Sequence, residues 1–285
     1  MQGIAQGALF GDAAVSGDPL NTQSLIVGTS TSGLIISLLR LFTKAAFPTE
    51  QAIHISSNLY FLISGMICVL CIYIFSAMSK KKDYGTNQGP GESTQDMHQG
   101  DSCEDKSLLG PEGATSMNIH TPDLECSGNL KGIFQKAWQP LLSNMACYWV
   151  TLSIFPGVLA EDLNFNDNSW YPLALLTIFN AADCVGKFFP LGIQMKFCSK
   201  TSVLLMALLR CSFIPLYLVA LGSVPAISIL TILLGISNGA LTTINMVYAT
   251  MLVDNTEQQT CGSVSVLFLM LGLNLGAFSG FLWLL

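Results

Sequence analysis

The segment Leu175–Pro190 reads LLTIFNAADCVGKFFP. It lies in one of the most apolar parts of the chain, yet it carries Asn180, Asp183 and Lys187. An ionised side chain near the centre of a bilayer costs about 2.5–3.5 kcal/mol even on the lenient insertion scale. The fold turns on whether this stretch is a membrane helix, and the function on why it then holds a carboxylate and an ammonium.

Composition answers the first question. Of 285 residues, 51% are hydrophobic and only 11% are charged, whereas a soluble domain carries about 25% charged residues. A bilayer-spanning helix needs about 20 mostly apolar residues. Windows of that kind fall at Thr22–Phe42, Ile53–Met78, Ala137–Ala160, Trp170–Leu191, Thr201–Leu221, Ala226–Val253 and Thr260–Leu285, with a shorter apolar stretch over residues 1–17. So many successive apolar runs leave almost no amphipathic helix to form a soluble surface. The expected fold class is all-α, a polytopic membrane protein in the lipid bilayer.

Residues 79–135 differ from everything around them. They are rich in Gly, Ser, Asp, Glu, Lys and Gln and have no apolar periodicity, so they read as a disordered loop. The expected organisation is residues 1–78 as one group of helices, 79–135 as a cytoplasmic loop and 136–285 as a five-helix bundle. His98 and His120 fall in the loop and read as solvated. Lys80, Lys81, Lys82, Lys131 and Lys136 flank it, and Lys196 and Lys200 lie two helices later, which places those ends in the cytoplasm. The alternate connections, EDLNFNDNSW and GSVP, hold no Lys or Arg, while Arg40 and Lys44 are exceptions at an outer end. The N-terminus has no basic n-region and reads as the inside of a helix rather than a targeting segment.

Several functions are disfavoured. The only basic run is Lys80–Lys82, so no nucleic-acid partner is expected. There is no phosphate-binding Walker loop, no H-E-x-x-H and no G-x-S-x-G, so no enzyme, metal or cofactor is expected. Cys68 and Cys71 have C-x-x-C spacing, but inside an apolar helix they read as small packing residues. Gly3/Gly7/Gly11 and Gly272/Gly276/Gly280 are ladders of small residues four apart, which read as close helix contacts rather than chemistry.

On a helix, Asn180, Asp183 and Lys187 fall within about 60° of one another, with Thr177 beside them. Asp183 and Lys187 are four apart with the acid first, the favourable order for an intrahelical ion pair. Arg210 lies midway along the next apolar run, expected to pack as an antiparallel neighbour at a similar depth. Ser237, Asn238, Thr242 and Asn245 on the following run and Gln6 near the N-terminus add polar groups. A structural ion-pair cluster and a solute pathway both fit these residues.

The chain resembles the equilibrative nucleoside transporter family, particularly its plant members. The resemblance rests on Phe155-Pro156-Gly157 through Glu161, and on Phe179-Asn180-x-x-Asp183-x-x-Gly186-Lys187. It continues in Arg210 and Pro215 of RCSFIPL, Ser237-Asn238-Gly239 of GISNGAL, and LGLNLGAF from Leu271 to Phe278. Upstream, AQGALFGDA and SGLIISLLRLFTKAAF look like the family's fourth and fifth helices. The resemblance implies a partial major-facilitator-like bundle that lacks the family's first three helices. It implies transport of nucleosides by alternating access, facilitative or coupled to protons, or alternatively a transport-inactive chain that associates with full-length relatives. By the same resemblance, Asn180, Asp183 and Lys187 meet the sugar hydroxyls, Gln6 hydrogen-bonds the nucleobase, Leu273 packs against it, and Arg210 supports the site. Many relatives carry arginine where this chain has Lys187, which keeps the charge and loses the bidentate fork. The plasma membrane is the expected location, with the vacuolar membrane as the alternative.

Overall fold

The structure, a computed structural model, describes residues 2–15, 17–46, 53–86, 130–155, 170–189, 199–220 and 223–280. Every regular element among them is helical: α1 (Gln2–Val15), α2 (Pro19–Ala46), α3 (Ile53–Thr86), α4 (Leu130–Ile154), α5 (Tyr171–Phe188), α6 (Lys200–Leu209), α7 (Phe213–Ala220), α8 (Val224–Met251) and α9 (Gln258–Gly280). A 3₁₀ turn, Arg210–Ser212, joins α6 to α7. Residues 1–60 and 126–285 form one compact unit and residues 61–125 a second.

Four spans among the described residues are long and apolar enough to cross a bilayer: α2, α6 with α7, α8 and α9. Their outward residues suit lipid; Phe42, Leu209, Val219 and Phe278 are all exposed. α5 matches the expected span in place but is not one of these four; its 18 residues include Asp183 and Lys187. α3 continues to Thr86 and α4 begins at Leu130, so helix enters both edges of the segment 79–135. Residues 87–129, with His98 and His120, lie outside the described residues, as do residues 156–169 with Gly157 and Glu161.

In the larger unit, the core is shared by α4, α5, α7, α8 and α9. Val150, Ile154, Leu175, Phe179, Tyr217, Ile227 and Leu234 form one buried cluster, in which the rings of Phe155 and Phe179 stack at 4.8 Å. Ile133, Ala137, Leu141, Ala249, Val253 and Cys261 form a second. Burying each such side chain contributes roughly 1.5–3 kcal/mol in water, but against lipid the gain comes from packing and close backbone approach.

Glycine supplies that approach. A methyl group built on Gly239 of α8 would overlap the carbonyl of Asp183, and one on Gly186 of α5 would overlap the carbonyl of Ile236. α5 and α8 therefore interlock backbone to backbone. The expectation that α5 packs directly on the next helix is not met: α8 is its close neighbour, and α6 packs on α4. The Gly272/Gly276 ladder behaves as expected, lying against the carbonyls of Met145 and Trp149 on α4. The Gly3/Gly7/Gly11 ladder is less uniform. A methyl group on Gly11 would stand 3.0 Å from the Gln259 carbonyl oxygen of α9, whereas one on Gly7 would have nothing within 4 Å among the described residues.

At one end of this unit, the Lys136 ammonium bridges Asp254 at 2.6 Å and Glu257 at 3.0 Å, tying the start of α4 to the connection between α8 and α9. These carboxylates hold the Lys136 ammonium above the usual lysine range. At the C-terminal end of α2, the Lys44 ammonium stands 5.2 Å from the Trp170 ring centroid. A cation over an aromatic face is attracted by the ring quadrupole, which gives this basic residue a partner.

Candidate functional site

The polar face of α5 is buried. Asp183 and Lys187 are 7% and 5% exposed, and Lys187 Nζ lies 2.8 Å from Asp183 Oδ2 along the helix. This is the expected i, i+4 ion pair. In so dry a place the pair persists only with further hydrogen bonds, and two neighbouring helices provide them.

From α2, the Ser30 hydroxyl donates to Asp183 Oδ2 at 2.6 Å and accepts from the Lys187 ammonium. From α8, the Asn238 amide donates to Asp183 Oδ1 at 2.7 Å. The carboxylate thus accepts three hydrogen bonds out of about four that it can take.

Arg210 does not touch Asp183. It is 2% exposed and enters from the 3₁₀ turn between α6 and α7. Pro215 lies just beyond, and its missing N–H and ring disfavour regular α-helix over the preceding turn. Arg210 Nη1 donates to Ser237 Oγ at 2.6 Å and to the Leu234 carbonyl at 3.3 Å. Its Nη2 donates to Thr151 Oγ1 at 2.8 Å and to Asn238 Oδ1 at 3.4 Å. Asn238 therefore reaches the carboxylate with one end of its amide and the guanidinium with the other. The shared depth expected for Arg210 and Asp183 arises through this side chain, not through adjacent helices.

The other residues singled out by sequence occupy separate places. Asn180 lies on the same face of α5, with Oδ1 3.9 Å from where a Gly33 methyl group would stand on α2. Leu273 of α9 packs on a cluster of Phe10, Ile26, Met246, Val266 and Leu269. Gln6 is half-buried on α1, one turn before Phe10. Both polar atoms of the Asn245 amide are buried on α8 with no hydrogen-bond partner among the described residues. Asp12 is engaged with the Gln259 amide at 3.3 Å.

Three contributors were not anticipated: Ser30, Gln23 and Thr151. Gln23 of α2 donates to the carbonyls of Lys187 and Phe189, each at 3.0 Å. The only sequence signal for α2 was its run of hydroxyls, Thr29-Ser30-Thr31-Ser32. Hydroxyls in helices commonly satisfy themselves on the preceding turn, as Thr29 and Ser32 do here.

The arrangement is an anion and two cations, joined by neutral amides and hydroxyls, buried between packed helices. Comparison with known proteins gives this chemistry a family. The profile of the nucleoside transporter family matches residues 1–285. Equilibrative nucleotide transporter 8 of Arabidopsis thaliana is 31% identical over 99% of this chain and 67% of its own length. Equilibrative nucleotide transporter 1 of the same plant is 29% identical over 99% of this chain and 60% of its own length. Equilibrative nucleoside transporter 4 of Danio rerio is 25% identical over 90% of this chain and 57% of its own length. The chain thus spans about two thirds or less of the length of these curated relatives. With the match running from its first residue to its last, the chain is an integral, multi-pass membrane protein that belongs to the nucleoside transporter family.

Proposed function

We propose that this chain carries nucleosides across the plasma membrane by alternating access. The observation that supports it most is the buried network of Asp183, Lys187, Asn238 and Arg210, in a chain whose relatives are named for nucleoside and nucleotide transport. Intramembrane charges generally mark a solute or ion path, and a sugar's hydroxyls can both donate to Asp183 and accept from Lys187. Asn180, on the same face, completes the sugar contacts. Gln6 pairs with the nucleobase, and Leu273 packs against its face. Arg210 supports the carboxylate through Asn238.

Asp183 is also the group that carries a proton if uptake is proton-linked. The segment 79–135 is assigned to the cytoplasmic side, and residues 136–285 to one bundle. The alternative, a transport-inactive associate of longer relatives, is less favoured because the relatives are themselves named as transporters.

The test is uptake of labelled uridine and adenosine in transporter-deficient cells, with a fluorescent fusion reporting the membrane reached. Uptake is expected from the chain, and Asp183→Asn is expected to abolish it at equal surface abundance. Unchanged uptake by Asp183→Asn rules out the assigned site. Insensitivity of uptake to a protonophore assigns facilitative rather than proton-linked transport.

A further inference from the structure

Two unlike interfaces meet at Asp183. α5 and α8 interlock through Gly186, Gly235 and Gly239, where even a methyl group would strike backbone or a packed side chain. Such a contact moves as one body, because packed backbones cannot slide past each other without deformation. α2 meets α5 differently. Of its buried residues, Thr22, Ile26, Ser30, Ser37 and Thr43, only Ile26 is apolar. What joins α2 to α5 is a hydrogen-bonded seam: Gln23 on the carbonyls that end α5, Ser30 on the ion pair, and Thr31 Oγ1 3.7 Å from Cys184 Sγ.

Ser30 does one specific thing in that seam. A single hydroxyl donates to Asp183 and accepts from Lys187, serving both members of a buried pair. A sugar hydroxyl has the same donor and the same lone pairs. Exchanging one hydroxyl for the other leaves every hydrogen bond of Asp183 and Lys187 in place, whereas withdrawing Ser30 without a replacement costs each of them one.

We propose that Ser30 occupies, in the closed seam, the place a ligand hydroxyl takes on the Asp183–Lys187 pair. Ligand binding and the parting of α2 from α5 are then one exchange. Gln23 is the second point of the latch, holding the end of α5 until Ser30 is displaced. Both are positioning residues, and the ligand's identity rests on the nucleoside reading above.

Cys184 reports the seam, since it is 5% exposed beside Thr31 and its alkylation by a membrane-permeant maleimide is expected to require withdrawal of α2. In the full chain in lipid vesicles, Ser30→Ala is expected to raise the rate of Cys184 alkylation about tenfold, as loss of one charge-assisted hydrogen bond allows. Ser30→Thr is expected to restore the slow rate. Cys261, packed in the α4–α8–α9 core, serves as the control for general loosening and is expected not to change. An unchanged Cys184 rate in Ser30→Ala, or a parallel rise at Cys261, overturns the latch.

Uridine is expected to speed alkylation of the wild type and 2′,3′-dideoxyuridine is not, because it lacks the competing hydroxyls. Uptake by Ser30→Ala is expected to show a KM for uridine several-fold below wild type, since the ligand no longer competes with Ser30; a KM equal to or above wild type counts against the exchange. Thr31→Cys, oxidised onto Cys184, is expected to arrest uptake until reduced, and uptake by the oxidised form refutes the parting of the seam. If the wild type neither transports nor responds to uridine, the nucleoside reading fails, while the Ser30→Ala alkylation rate still decides the latch.

Discussion

The Asn238 amide nitrogen donates to Asp183 Oδ1 across 2.7 Å, and its carbonyl oxygen accepts from Arg210 at 3.4 Å. One neutral side chain thus couples an anion on α5 to a cation on the α6–α7 turn. Both ends are buried, so neither partner can turn to bulk water if the amide is removed.

Asn238→Ala is expected to destabilise the protein by about 1–3 kcal/mol, the cost of leaving buried polar groups unsatisfied. Thermal unfolding in detergent, at matched protein and detergent concentrations, measures it. A transition temperature equal to wild type indicates that Asp183 and Arg210 do not depend on this bridge.

Gly239→Ala and Gly7→Ala make an opposed pair, because the same added methyl group meets the Asp183 carbonyl in one case and open space in the other. Gly239→Ala is expected to prevent accumulation of folded protein, read by size-exclusion of a fluorescent fusion. Gly7→Ala is expected to be neutral or stabilising by up to about 1 kcal/mol, the helix preference of alanine over glycine. Equal behaviour of the two variants contradicts the α5–α8 interlock.

Lys187→Met leaves Asp183 buried without its cation, and breaking a buried pair from one side costs about 3–5 kcal/mol. The double variant Asp183→Asn/Lys187→Met is expected to recover a large part of that loss while remaining inactive in uptake. A double variant as unstable as the single one shows that the pair itself is not the source of the defect.

Arg210→Lys keeps the charge and loses the planar fork that reaches Ser237, Leu234, Thr151 and Asn238 together. Uptake is expected to fall at least tenfold at equal surface abundance, with Asp183→Glu in the same assay as a comparison of charge-preserving changes. Wild-type uptake by Arg210→Lys shows that positive charge alone suffices at this position.

The membrane class, the positions of the helices and the Asp183–Lys187 pair were legible in the amino-acid order, because apolar run length and helical spacing are local properties. The face shared by Asn180, Asp183 and Lys187 follows from the helical repeat alone. Long-range pairing was not legible. The sequence could not show that α8 rather than α6 lies against α5, since that choice rests on Gly186, Gly235 and Gly239 fitting one another across more than forty residues of chain. Nor could it single out Ser30 from its neighbours Thr29, Thr31 and Ser32. All four are hydroxyls on one helix, and only the packing of α2 on α5 decides which of them faces an ion pair and which bonds back to its own backbone. Local chemistry placed the charges in the membrane; tertiary contact supplied the partners that let them stay there.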